Sequence, residues 1–160
     1  MNTSRVVHVS LAQHSISLDE ALTQVDAADC GAVVGFGGVV RNHDGGRDVT
    51  SLTYTAHPSA ERIIAGIADE IAARYDGVRI WVAHRIGPLA IGDPALVAAV
   101  ASAHRGEAFA ACSELVDTVK ERVPIWKEQF FTDGTVEWVG AGSAGSVGGT
   151  AESAATQPDS

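Results

Sequence analysis

Residues 101–128 read ASAHRGEAFAACSELVDTVKERVPIWKE, and the way this stretch divides decides the fold. Phe109, Cys112, Val116, Val119 and Val123 recur at i, i+3, i+7, i+10 and i+14, which is one apolar stripe on an α-helix. Pro124 cannot continue that helix, and the residue before a proline is driven to extended backbone, so an extended segment opens at Ile125. The following WKEQFFTDGTVEWV reads as a hairpin with Asp133-Gly134 as its turn. A helix thus hands over to two strands that pair with each other, which breaks strict β-α-β alternation.

Upstream the same reasoning gives a strand over Arg5 to Ala12, rich in β-branched residues. SLDEALTQVDAADCG follows as a helix capped by Ser17, with Asp19 and Glu20 in its first turn and Gly31 as its stop. GAVVGFGGVVRN is an apolar strand whose glycines at 35, 37 and 38 predict a bulge or the close approach of another group. Asn42 to Asp48 is expected to be a loop. VTSLTYTAH is a strand with Val49, Leu52 and Tyr54 as candidates for burial. A helix runs from Pro58 at its first position through Ile63, Ile64, Ile67, Ile71 and Ala72 to Tyr75. Val78 to Gly87 is a strand that ends in the turn GPLAIGDP, and ALVAAVASA is a further, nearly all-apolar strand. The order β-α-β-β-α-β-β-α-β-β is an α+β arrangement. Residues 1–139 form one domain, and the Gly/Ala/Ser-rich stretch from Gly140 to Ser160 reads as a flexible tail.

The chain of 160 residues has a formal net charge of -9, which argues against nucleic acid or an anionic membrane surface as a partner. No apolar run reaches the roughly 20 residues of a membrane span, and the start MNTSRVVHVS lacks the parts of a signal peptide, so a cytoplasmic protein is expected. Cys30 and Cys112 stand far apart and read as reduced, mostly buried residues. The histidines show no metal-ligand spacing, so no metal site is assigned.

The only two lysines of the chain, Lys120 and Lys127, flank Pro124 and Trp126. On the helix, Lys120 falls about 20° from Phe109, at the border of the apolar stripe. Two readings stay open: a lysine whose stem covers apolar surface, or an ammonium at a pocket rim whose pKa burial lowers. A turn at Pro124 would bring Lys127 back toward Lys120, which fits an anionic ligand between them. His104 and Arg105 stand at a helix N-terminus, either as an anion site or as surface residues. Arg41 closes a strand and is open to the same two readings. His84 and Arg85 read as structural at a strand end. Cys112, in mid-helix on the apolar face, is a poor nucleophile.

Taken together, GAVVGFGGVVRNHDGG, AHRIGPLAIGD, residues 101–128 and the closing EWV resemble, in order and spacing, the large catalytic subunit of molybdopterin synthase over residues 5 to 139. The resemblance implies an α/β hammerhead-type fold with mixed and antiparallel sheets and about three helices. It implies a homodimer within a heterotetramer, carrying a small ubiquitin-like partner whose C-terminal Gly-Gly bears a thiocarboxylate. The partner would deliver sulfur to cyclic pyranopterin monophosphate to build the dithiolene of molybdopterin, with no cofactor of the enzyme's own. By position, Lys120 and Lys127 match the family's catalytic lysines. Val39, Val40, Arg41, His104, Arg105, Glu128 and Gln129 fall in its substrate-binding set, and Phe36 falls on a pocket wall. His104 and Arg105 would be offered across the dimer interface. The chain departs from the family in having Val39 and Val40 before Arg41, Gln129 where an acid is common, and Gly142 where a base is common. Two other readings of the lysines are a Schiff-base enzyme acting on an anionic carbonyl substrate and a non-catalytic adaptor for a ubiquitin-like protein.

Overall fold

The computed structural model describes residues 5–140. The tail expected over residues 140–160 lies, but for Gly140, outside the described residues. The chain runs β1 (Val6–Ala12), α1 (Leu18–Val25), β2 (Ala32–Val39), β3 (His43–Asp44), β4 (Arg47–Ala56), α2 (Ala60–Arg74), β5 (Arg79–Arg85), β6 (Gly87–Ala90), β7 (Pro94–Ser102), α3 (Arg105–Arg122), β8 (Ile125–Phe131) and β9 (Val136–Val139). This is the expected α+β, hammerhead-type architecture, with three helices among the described residues.

One sheet has the order β1-β5-β7-β2, with β1 and β5 parallel and the other pairs antiparallel. Its inner strands are buried on both faces, which is why β7 reads as an unbroken apolar run. The alternation of a strand sorts the side chains. Ile80, Val82, Ala98 and Val100 meet Ile64, Ile67, Ile71, Leu115 and Val119 of α2 and α3. Trp81, Ala83, Val97 and Ala99 turn the other way, onto Ala21 and Val25 of α1. Each fully buried Ile or Leu contributes about 1.5–3 kcal/mol by leaving water. Across the α2–α3 seam, Arg122 makes a two-bonded pair with Glu70 at 2.9 and 3.1 Å, and the Tyr75 hydroxyl donates to Glu114 at 2.7 Å.

The second sheet has the order β3-β4-β8-β9, with β6 also paired to β4. The chain crosses between the sheets at Gly87, whose φ of +91° a side chain would resist. Val40, Leu52, Leu89 and Ala95 fill the space where the sheets meet.

Several elements depart from the sequence reading. The first helix ends at Val25, not Gly31, because Asp26 is already extended and Cys30 closes a turn onto the Ala27 carbonyl. Pro58 does not open α2. The Ala60 N–H bonds to the His57 carbonyl, so a turn comes first and Ser59 becomes the cap. The loop expected over 42–48 contains a hairpin turned by Gly45 and Gly46, both with positive φ. The turn GPLAIGDP holds the strand β6 on β4. Phe109, placed on the buried stripe by helical spacing, is 60% exposed. The glycine-rich strand does carry both predicted features: its register shifts between Gly38 and Val39, and a Cβ at Gly35 would sit 2.8 Å from Leu22 of α1.

Candidate functional site

Strand β8 positions the site. Ile125, Lys127, Gln129 and Phe131 share one face by alternation, and Trp126, Glu128 and Phe130 share the other. In register, Lys127 stands opposite Tyr54 of β4 on one side and Val139 of β9 on the other. Tyr54 meets the His84 ring edge-on at 4.9 Å, and His84 comes from β5 of the first sheet. The proline that ends α3 makes this possible. The Pro124 carbonyl accepts the His57 N–H at 3.0 Å, which fastens the start of β8 to the end of β4.

Lys120 lies on the last turn of α3 and is exposed. Burial falls on the other lysine, so of the two readings left open for Lys120 its exposure does not fit the desolvated ammonium. Lys127 is half-buried and its pKa is lowered, first by desolvation. The charges of Lys120 and Arg41 push it the same way, while Asp44 and Glu137 oppose them. The two lysines are therefore within electrostatic range of each other. His84 is pushed down to about 4, first by burial, and Lys120 adds to the shift. His84 Nδ1 donates to the Arg85 carbonyl at 2.7 Å, so its Nε2 is the acceptor nitrogen. Burial raises the Tyr54 phenol to about 12 and the Cys112 thiol to about 11, leaving both protonated at neutral pH.

Beside α3 runs an open groove of about 380 Å³, between Val34 and Phe36 of β2 and Phe109, Cys112 and Val116 of the helix. Phe36 forms part of its wall, and Phe109 is exposed because it lines the rim. Lys120 follows Val116 by four residues, one turn further along the same face of α3.

The remaining predicted residues divide. Arg41 is exposed and pairs with Asp44 at 3.6 Å. Gln129 is 3% exposed, and its Nε2 donates to Asp44 at 2.8 Å and to Glu137 at 3.3 Å. Val40 is 5% exposed within the packing between the sheets, so its side chain is not offered to a ligand. Val39 is 54% exposed at the end of β2. Glu128 faces away from Lys127. His104 caps α3 and Arg105 begins it, both exposed, and 15 residues of helix put Arg105 about 22 Å from Lys120. One copy of the chain therefore does not bring these two to the lysines.

Sequence reasoning named Tyr54 for burial and His84 as structural but did not place them, or Asp44, beside Lys127. His84 shares the strand parity of Ile80 and Val82, which signals a residue facing inward, and the His-Asp-Gly-Gly stretch signals a hairpin that fixes Asp44. Arg85, read as structural, is 7% exposed and donates to the Pro88 carbonyl at 3.2 Å, where it holds the strand end.

A two-sheet α+β frame of the hammerhead type thus carries two lysines, one of them half-buried beside Tyr54 and His84. The family model described as MoaE protein matches residues 11–122, and the chain belongs to that family. It is 42% identical to molybdopterin synthase catalytic subunit 1 of Mycobacterium tuberculosis, over 81% of this chain and 88% of that protein. It is 39% identical to the molybdopterin synthase catalytic subunit of Thermoplasma volcanium, over 82% of this chain and 96% of that protein. The crystal structure of molybdopterin synthase from Staphylococcus aureus superposes with a TM-score of 0.75 at 36% identity, covering 83% of this chain and 96% of that one.

Proposed function

We propose that this chain is the catalytic subunit of a molybdopterin synthase and moves sulfur from the C-terminal thiocarboxylate of a small carrier subunit onto cyclic pyranopterin monophosphate. A role in molybdopterin biosynthesis follows from membership of the family and from relatives that span most of the chain. The observation that carries the finer reading is the half-burial of Lys127 beside Tyr54 and His84, with Lys120, Arg41, Asp44 and Glu137 all acting on its charge.

The chemistry matches that placement. A carbon–sulfur bond forms on the pterin side chain, the sulfur–acyl bond of the carrier breaks with water as acceptor, and the cyclic phosphate opens to a monoester. Negative charge builds at each stage, and fixed cations in a partly dry pocket stabilise it better than water does. The groove, mostly apolar with Ser113 and Asp117 on its helix side, has room for an extended Gly-Gly tail, whose small residues add no bulk. Lys120 is the principal acid/base and charge stabiliser. Lys127 takes the carrier's carboxylate or the acyl intermediate, and its lowered pKa also suits it to releasing a proton. Arg41 grips phosphate. His104 and Arg105 reach the site from a second copy, since their own helix holds them about 22 Å away. Two transfers complete the dithiolene.

Purified protein, thiocarboxylated carrier and cyclic pyranopterin monophosphate should yield dithiolene product, and no product from the wild-type chain overturns the reading. The lowered pKa of Lys127 also favours one rival, a lysine that forms an imine with a carbonyl substrate. Borohydride added during turnover separates them, because an imine would be trapped as a covalent adduct on Lys127 and sulfur transfer forms none.

A further inference from the structure

We propose that Asp44 is the positioning residue of the site, holding Arg41 with one carboxylate oxygen and Gln129 with the other, and so setting the charge that Lys127 feels. The proposal rests on the sulfur-transfer reading only for what the positioned groups bind. Its geometry is independent of that reading. The Gly45-Gly46 turn and the pairing of Asp44 with Arg47 fix the hairpin that carries Asp44. Asp44 Oδ2 accepts from Gln129 Nε2 at 2.8 Å, and Gln129 is anchored inside β8 two residues beyond Lys127, on the same face. Asp44 Oδ1 stands 3.6 Å from Arg41 Nη2. A hairpin tip, a strand end and the central strand of the second sheet are thereby tied through one carboxylate.

The tie has a chemical consequence. A guanidinium carries five N–H donors, and an ion pair at one Nη leaves the others free for a phosphate oxygen. Asp44 therefore orients Arg41 without consuming it. The charged groups that act on Lys127 are Asp44 and Glu137, which favour its ammonium, and Lys120 and Arg41, which disfavour it. The neutral Tyr54 and His84 line the adjoining space. Without Asp44, three cations face only Glu137.

Because the chain has only two lysines, protein labelled with ¹³C and ¹⁵N in lysine gives two side-chain signals, which a Lys120→Arg variant assigns. Asp44→Asn keeps an oxygen to accept from Gln129 and removes the charge. In that variant Lys127 should titrate about half a pH unit lower, and the KM for the pterin phosphate should rise about three- to tenfold, a range set by how exposed the Arg41 pair is. Asp44→Glu should recover most of both effects. An unchanged Lys127 titration in Asp44→Asn overturns the proposal whatever the activity, and so does a KM that Asp44→Glu restores no better than Asp44→Asn. If wild-type protein makes no dithiolene, the sulfur-transfer reading fails by itself, while the titration still reports on Asp44.

Discussion

The two sheets of this molecule are built to opposite specifications. In the β1-β5-β7-β2 sheet the inner strands bury apolar side chains on both faces, and the helices seal them. In the β3-β4-β8-β9 sheet the central strand instead half-buries Lys127 and fully buries Gln129 among Asp44, Glu137 and Arg41. A dry sheet gives stability but no chemistry, because an unpaired charge inside it would cost several kcal/mol. The second sheet is wet enough to keep its ammonium and dry enough to lower its pKa. His84 is the seam: it belongs to the first sheet and touches Tyr54 of the second.

If that division holds, damage to one sheet should be read in activity and damage to the other in stability. Lys120→Ala should lower product formation by about a thousandfold or more, about 4 kcal/mol of transition-state stabilisation, with the thermal midpoint unchanged because the side chain is exposed. Single-turnover rates beside a melting curve check both halves, and near-normal turnover would break the comparison. Ile67→Ala, at a fully buried position under the first sheet, should cost about 3–4 kcal/mol in urea unfolding while the folded fraction keeps its turnover.

The seam should show itself through pH. The folded pKa of His84 is depressed to about 4, below the 6.5 of an ordinary histidine, so the unfolded chain takes up the proton first as pH falls. The stability it contributes is present above pH 6.5 and is lost as pH drops from 6.5 toward 4, by about 2 kcal/mol after allowance for partial exposure. His84→Phe should flatten that part of a stability–pH curve measured by urea unfolding, and an identical slope would remove His84 from the seam. Smaller than these is the effect of Arg41→Ala. It should raise the KM for the pterin phosphate about tenfold with little change in kcat, as the phosphate-binding role proposed for the exposed Arg41 requires, and an unchanged KM would contradict that role.

Much of the frame was legible because its signals are local. The apolar run of β7, the helical spacing of Ile64, Ile67 and Ile71, the break at Pro124 and the Asp133-Gly134 turn each act within a few residues. The misplacements came where one local signal had two outcomes. Gly31 was a plausible helix stop, but the chain leaves the helix at Asp26, six residues after Glu20. Phe109 kept perfect helical spacing and still faces solvent, because spacing fixes a direction around the helix and cannot supply a neighbour there. The short strands β3 and β6 carry too few residues for a period to be visible.

For the site, the sequence by itself determined which cations exist, that two of them flank a proline, and that the helix must end between them, because φ of proline and the period of a helix are properties of a few residues. The tertiary structure decided which lysine loses water, that His84 and Tyr54 stand beside them, that Val40 is buried and Glu128 turned away, and that His104 and Arg105 lie at the far end of α3. Those outcomes depend on strand register and on distances between elements far apart in the chain, and desolvation is a property of everything that surrounds a side chain at once.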